Sequence, residues 1–119
     1  MSIPFSSISP DEAVSHIQDG DFVVLSHAAA VPQACVAALA RNYERFHDVR
    51  IFHMVTLGDS PYTAPEMEGH FRLVTNFVGA NTRPAVDEQR ADFVPSYFYE
   101  VPSMMQPGGA FHPDVAIVQ

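Results

Sequence analysis

Lysine is absent from this sequence of 119 residues, and so is any second cysteine. All six basic residues are arginine, set against 14 Asp and Glu, which leaves a formal charge of −8 with histidine neutral. Nucleic acids and anionic membrane surfaces are held by basic footprints, so the composition speaks against both as partners. The lone cysteine, Cys35, excludes an internal disulfide framework and fits a reducing compartment. No apolar run approaches the roughly 18–20 residues of a membrane span. The start, Met1-Ser2-Ile3-Pro4-Phe5, lacks the basic region and apolar stretch of a secretion signal. The phosphate cradles G-x-G-x-x-G and G-K-[ST] are missing as well, as are internal repeats and low-complexity tracts. A soluble, acidic, cytoplasmic protein is expected.

What is present is enough to build a core. Apolar residues make up 47% and charged residues 17% of the chain. Its length allows one domain or part of one. Ser9-Pro10-Asp11-Glu12 reads as a helix start with a capping box, and Gly20 as the stop. Phe22–Leu25 is a short continuous apolar run, the pattern of a strand buried on both faces in a parallel sheet. Pro32 opens a helix of about four turns whose buried face is Val36, Leu39, Tyr43 and Phe46. Further strands are predicted over Val49–Val55, Leu73–Val78, Phe93–Tyr99 and Val115–Val118, with a short helix over Thr82–Arg90. Pro95 marks the fourth strand as an edge or irregular one. The segments Gly58–His70 and Ser103–Pro113 read as irregular. Strands alternating with helices predict an α/β domain with a mostly parallel sheet flanked by helices. The last strand is apolar on both faces with no covering helix after it. That pattern is expected of a fragment, or of a subunit completed by another chain.

In open α/β sheets ligands collect at the carboxyl ends of strands. Two loops qualify. Ser26–Gln33 carries His27 and the small residues Ala28, Ala29 and Ala30 before a helix start, where backbone N–H groups are free for an anion. Met54–Gly58 brings Thr56 to a strand end and frees the turn at Gly58. Together they are candidates for a pocket binding a carboxylate or thioester oxygen; the plainer alternative is two tight connections. Glu66, Glu68 and His70 alternate, a spacing that fits a metal site or, more simply, a solvated loop face. Cys35 with His27 or His53 is a nominal nucleophile–base pair, but a small buried helix residue is the simpler account of Cys35. His53 sits inside an apolar strand and is expected to be a satisfied core histidine.

Six segments in unbroken order resemble the acetyl-CoA hydrolase/transferase family. Ser26-His27-Ala28-Ala29-Ala30-Val31-Pro32-Gln33 is similar to its G-H-A-x-G-x-P-Q loop, and His53-Met54-Val55-Thr56-Leu57-Gly58 to its H-M-V-T-L-G strand end. Pro65–Arg72 resembles its P-E-x-x-x-H-F-R segment, and Phe77–Arg83 its F-V-G-x-N-x-R turn. Arg90–Phe93 and Glu100–Pro102 are similar to R-A-D-[YF] and E-[IV]-P, and Asp114–Gln119 to a strand after which members continue. The match runs from about Asp11 to Gln119, nearest to the 4-hydroxybutyrate CoA-transferases.

The resemblance implies an N-terminal α/β domain, spanning residues 1–119, of a longer enzyme that moves CoA between an acyl-CoA and a small carboxylate, with coenzyme A as substrate and no metal. The nucleophilic glutamate of the family lies beyond this chain, so no catalytic residue is expected here and the chain alone is expected to be inactive. By position, His27, Ala28, Ala29, Ala30, Thr56 and Gly58 would line the substrate pocket. The missing C-terminal half, or a partner subunit, would supply most of the grip on CoA, and homo-oligomers are expected at full length. Hydrolase members let water complete the reaction. Ala30 and Ser26 stand where the family has glycine; a methyl at position 30 would make a positive φ costly there. The alternative from another class is a non-catalytic module that completes or regulates a partner through its exposed last strand.

Overall fold

The computed structural model describes residues 5–119. The Ser9 hydroxyl accepts the Glu12 N–H at 3.1 Å, and Pro10 takes the first helical position, where no N–H is required. Helix α1 runs Pro10–Val14, shorter than the pattern predicts. The Ser15 N–H is shared between the carbonyls of Asp11 and Glu12, which tightens the last turn and releases the chain before Gly20.

Five strands form one sheet: β1 (Phe22–Leu25), β2 (Val49–His53), β3 (Phe71–Thr75), β4 (Ala91–Phe93) and β5 (Val115–Ile117). Their order is β4-β3-β2-β1-β5 and every pairing is parallel. The α/β class and the parallel sheet are therefore as expected. From β1 the chain builds outward to β4 on one side and later returns to β5 on the other. The carboxyl ends of β1 and its neighbours are thus the place where such a sheet opens a crevice.

Alternation along the strands separates two cores. Val23, Leu25, Val49, Ile51, Phe71 and Leu73 face a large cluster with Val14, Val36, Ala38, Leu39 and Phe46. Phe22, Phe52 and Val74 face a small one on the opposite side, covered only by partly buried Met54, Val94, Val101, Met105 and Phe111. Helix α2 (Gln33–Arg41) seals the first face. It stops well short of four turns because the Asn42 amide donates to the Ala38 carbonyl at 2.8 Å and to Asp11 at 2.8 Å. Those bonds compete with helix continuation. A 3-10 turn at Tyr43–Arg45 follows and still delivers Phe46 to the core.

The strands are shorter than the apolar runs. β2 ends at His53 and β3 at Thr75, because the next residues turn into loops that cross the strand ends. The segment from Gly58 to His70 is not featureless: 3-10 turns at Pro61–Thr63 and Pro65–Met67 bury Tyr62 and Met67. β4 is an edge strand of three residues, and Pro95 lies beyond it. The predicted continuation to Tyr99 fails. A 3-10 turn at Phe98–Glu100 leads into helix α4 (Val101–Met105), started by Pro102 and by the Glu100 carboxylate accepting the Tyr97 N–H at 2.7 Å. Gly109 lets the following loop close onto α4: a side chain there would meet the carbonyls of Met104 and Ser103. Helix α3 (Arg83–Asp87) is a single turn within the predicted Thr82–Arg90 span.

β5 is the other edge. The Asp114 carboxylate and N–H bond the Phe22 backbone at 2.8 Å each, and the Ser26 N–H donates to the Ile117 carbonyl at 3.0 Å. It is not buried on both faces as its apolar run predicts. Val115 and Ile117 are half-buried against the main core, and Ala116 is exposed. Among the described residues, no helix is long and apolar enough to cross a membrane.

Candidate functional site

The two loops singled out in the sequence meet. Beyond the ends of β1 and β2, Ala28 and Thr56 form a parallel bridge, and the Ala28 N–H donates to the Val55 carbonyl at 2.8 Å. The bridge extends the β1–β2 pairing past the sheet proper and holds His27, Ala28, Ala29 and Thr56 side by side. Ala29 and Ala30 are exposed, and His27 and Ala28 half-exposed. Among the described residues, no acceptor takes the Ala29 N–H, so this donor is free at the exposed tip.

His27 is oriented by the backbone. The Met54 N–H donates to its Nδ1 at 3.0 Å, and its ring stands edge-on to Phe52, 6.2 Å away. A neutral imidazole that accepts at Nδ1 carries its proton on Nε2. Desolvation lowers its pKa below the ordinary value, which favours that neutral form. His27 therefore offers a neutral N–H donor beside the bridge. Thr56 is buried, and its hydroxyl has no protein partner.

The Gly58 loop is pinned from two sides. Asn81 donates to the Gly58 carbonyl and lies 3.3 Å from the Ser60 hydroxyl. The Gln33 amide packs where a side chain on residue 58 would stand. Glycine is thus needed at 58 for close approach, not for backbone sign. The position under backbone strain is Ala28, whose φ is +53°; Ala30 has no positive φ, so the conflict expected at Ala30 falls instead on Ala28. A left-handed alanine costs about 1–2 kcal/mol, part of which glycine returns through unfolded-state freedom. Ala28→Gly is expected to leave stability unchanged or raise it by up to about 1 kcal/mol, while Ala30→Gly lowers it by about 0.5–1 kcal/mol. Thermal denaturation of the two variants checks this; the reverse order would contradict it.

His53 is buried, as its strand position requires, but it is not satisfied. Neither ring nitrogen has a partner, and it faces Tyr62, 5.9 Å away and equally unpartnered at its hydroxyl. Burial, with a smaller contribution from His27, pushes its pKa down to about 4. The remaining sequence candidates stay apart from the bridge. Glu66 and Glu68 are exposed; the His70 Nδ1 lies 2.7 Å from the Phe46 carbonyl and its ring edge-on to Tyr43. Among the described residues, no group of three or more His, Cys, Asp or Glu is placed to hold a metal ion. Cys35 packs against the main core as a small helix residue.

One part of the site is not foreseen by the sequence patterns. Met54, Phe98, Tyr99, Val101 and Pro102 line a cleft of about 540 Å³ with His27 at its edge. The overlooked signal is Pro102, which reads as a helix start two residues after Glu100.

Comparisons with known proteins agree with this geometry. Residues 4–119 match the acetyl-CoA hydrolase/transferase N-terminal domain. The chain is 40% identical over 112 residues to the 4-hydroxybutyrate coenzyme A transferase of Clostridium kluyveri, covering 94% of this chain and 26% of that protein. It is 34% identical over 98 residues to the succinyl-CoA:acetate/propanoyl-CoA:succinate CoA transferase of Fasciola hepatica, covering 81% of this chain and 20% of that one. Among solved structures, 4-hydroxybutyrate CoA-transferase from Porphyromonas gingivalis superposes with a TM-score of 0.71 at 34% identity, over 94% of this chain and 24% of that one. RipA from Yersinia pestis shares the fold, with a TM-score of 0.80 at 24% identity over 93% of this chain and 28% of that one. The chain thus spans about a quarter of the length of the curated relatives it matches. A match over nearly its whole extent, with the bridged loops at its centre, makes this chain a member of the acetyl-CoA hydrolase/transferase family, corresponding to that family's N-terminal domain.

Proposed function

We propose that this chain forms the carboxylate-binding wall of a CoA-transferase whose nucleophilic glutamate lies outside these residues. The observation that carries the reading is the Ala28–Thr56 bridge. It sets a free backbone N–H at Ala29, the neutral Nε2–H of His27 and the unpartnered Thr56 hydroxyl on adjoining strand ends. Those are uncharged donors suited to carboxylate and thioester oxygens. In the reaction, the glutamate carboxylate attacks the thioester carbonyl, the C–S bond breaks and CoA leaves as its thiolate. The thiolate then attacks the glutamyl carbonyl of the mixed anhydride, releasing the first acid and leaving a glutamyl-CoA thioester. A second carboxylate reverses the two steps and departs as the new acyl-CoA. Attack of water on the same thioester would give hydrolysis instead.

The role of the wall is to steady the oxyanion that develops at each attack. The few basic residues match this division of labour, because most of the grip on CoA phosphates is then left to the other half or a partner subunit. The test is chemical. The complete gene product, incubated with an acyl-CoA and a carboxylate, is expected to exchange CoA and to yield a glutamyl thioester trapped by borohydride or hydroxylamine. Absence of both exchange and trapped species would remove the reading.

Thr56→Val separates a role in binding from a role in folding. The hydroxyl has no protein partner, so its loss is expected to leave the fold intact or to stabilise it by about 1 kcal/mol. Transfer should fall by about tenfold or more, as when a donor to a developing oxyanion is lost. Urea denaturation and CoA exchange on the same variant check both parts. A destabilised fold with unchanged turnover would assign the hydroxyl a structural role.

A further inference from the structure

Helix α4 lies over the thinner of the two cores, and its approach segment leaves large apolar side chains in solvent. Phe98 and Tyr99 are 79% and 75% exposed. Between this segment and the ends of β1 and β2 runs the cleft of about 540 Å³ lined by His27, Met54, Phe98, Tyr99, Val101 and Pro102. His27 belongs both to the cleft and to the bridged loops, so the cleft opens directly from the point where the Nε2–H and the Ala29 N–H converge. Its lining is apolar apart from the His27 ring and the Tyr99 hydroxyl. It contains no arginine, and the only titratable base in it, His27, is held neutral by desolvation. The nearest chain neighbour with a charge is Glu100, an anion whose carboxylate is engaged by the Tyr97 N–H.

We propose that this cleft seats the acyl chain of the substrate, and that Phe98, Tyr99 and Val101 set a preference for uncharged acyl groups longer than acetyl over acyl groups that end in a second carboxylate. The proposal rests on the transferase reading above and adds the substrate class to it. An acyl carbonyl held by the bridge donors projects its chain into the adjoining space, and that space is apolar. The pantetheine arm of CoA is the poorer occupant, because its two amides would be desolvated against aliphatic and aromatic walls. A terminal carboxylate fares worse still, since no cation lines the cleft and Glu100 stands beside it. Each methylene that the cleft removes from water contributes about a fourfold preference, so butyryl should exceed acetyl by about 15-fold.

The experiment uses the complete gene product with propanoate as a single acceptor and acetyl-CoA, butyryl-CoA or succinyl-CoA as donor, reading propanoyl-CoA by mass spectrometry. The expected kcat/KM order is butyryl above acetyl by about tenfold or more, with succinyl below butyryl by at least as much. Phe98→Ala, at an exposed position that the fold does not need, and Val101→Ser should each lower the butyryl-to-acetyl ratio at least threefold. A ratio is insensitive to partial loss of folded enzyme, so a damaged variant still reports. A flat donor profile, succinyl equal to butyryl, or ratios unchanged in both variants would overturn the assignment while leaving the transferase reading standing. Failure to exchange CoA with any donor would overturn both.

Discussion

Lowering the pH from 7 to 4.5 is expected to remove roughly 2–3 kcal/mol of stability through His53 alone. The ring is fully buried, has no partner for either nitrogen, and titrates near 4 in the native protein against an ordinary value of 6.5. The native state therefore holds it neutral down to about pH 4, whereas the unfolded chain takes up a proton below about 6.5. Between those values the unfolded state binds more protons, so stability falls as the pH falls. Above 6.5 the effect is absent. Asp92, held below its ordinary value chiefly by hydrogen bonds from Arg72, adds a loss of the same sign at still lower pH. Urea denaturation at pH 7 and 4.5 measures the difference. His53→Leu should flatten the curve over that window, because an apolar side chain has no proton to gain. A variant that keeps the full acid loss would show that another group is responsible.

Leu39→Ala is expected to cost about 2–5 kcal/mol. Leu39 is fully buried in the main cluster, on the face of α2 that lies over the sheet. Truncation forfeits the transfer free energy of the removed carbons and leaves a cavity that packed strands cannot collapse into. The same α2 begins at Gln33, whose amide packs against Gly58, so the loss should loosen the candidate site as well as the core. A shift in denaturation midpoint of less than about 1 kcal/mol would mean that α2 contributes little to the fold. Set beside Thr56→Val, the pair distinguishes a side chain that holds the structure from one that serves a ligand.

The legible part of this protein is its periodicity. Phe22–Leu25 and Val49–His53 declare themselves as buried strands because both faces of a parallel sheet are covered, so apolar residues run without interruption. Ser9 and Pro10 declare a helix start because capping is satisfied within three residues. The site loops were recognisable by their small residues and strand-end position. The boundaries were not, and the cause differs from case to case. α2 ends early through an Asn42 side chain that also reaches Asp11, 31 residues away. Helix α4 was hidden because the aromatic run before it reads as strand, while its Pro102 start was absorbed into a short motif.

The amino-acid order alone determined the fold class, the alternation of strand and helix and the place where ligands would gather, since each follows from patterns spanning a few residues. Only the packed molecule decided that Ala28, rather than Ala30, takes the left-handed backbone, because the bridge to Thr56 joins segments 28 residues apart. It likewise decided that His53 is buried without a partner and that Phe98 and Val101 come to rest beside His27. Those outcomes depend on which side chains meet across the sheet, and that distance is written in no local pattern.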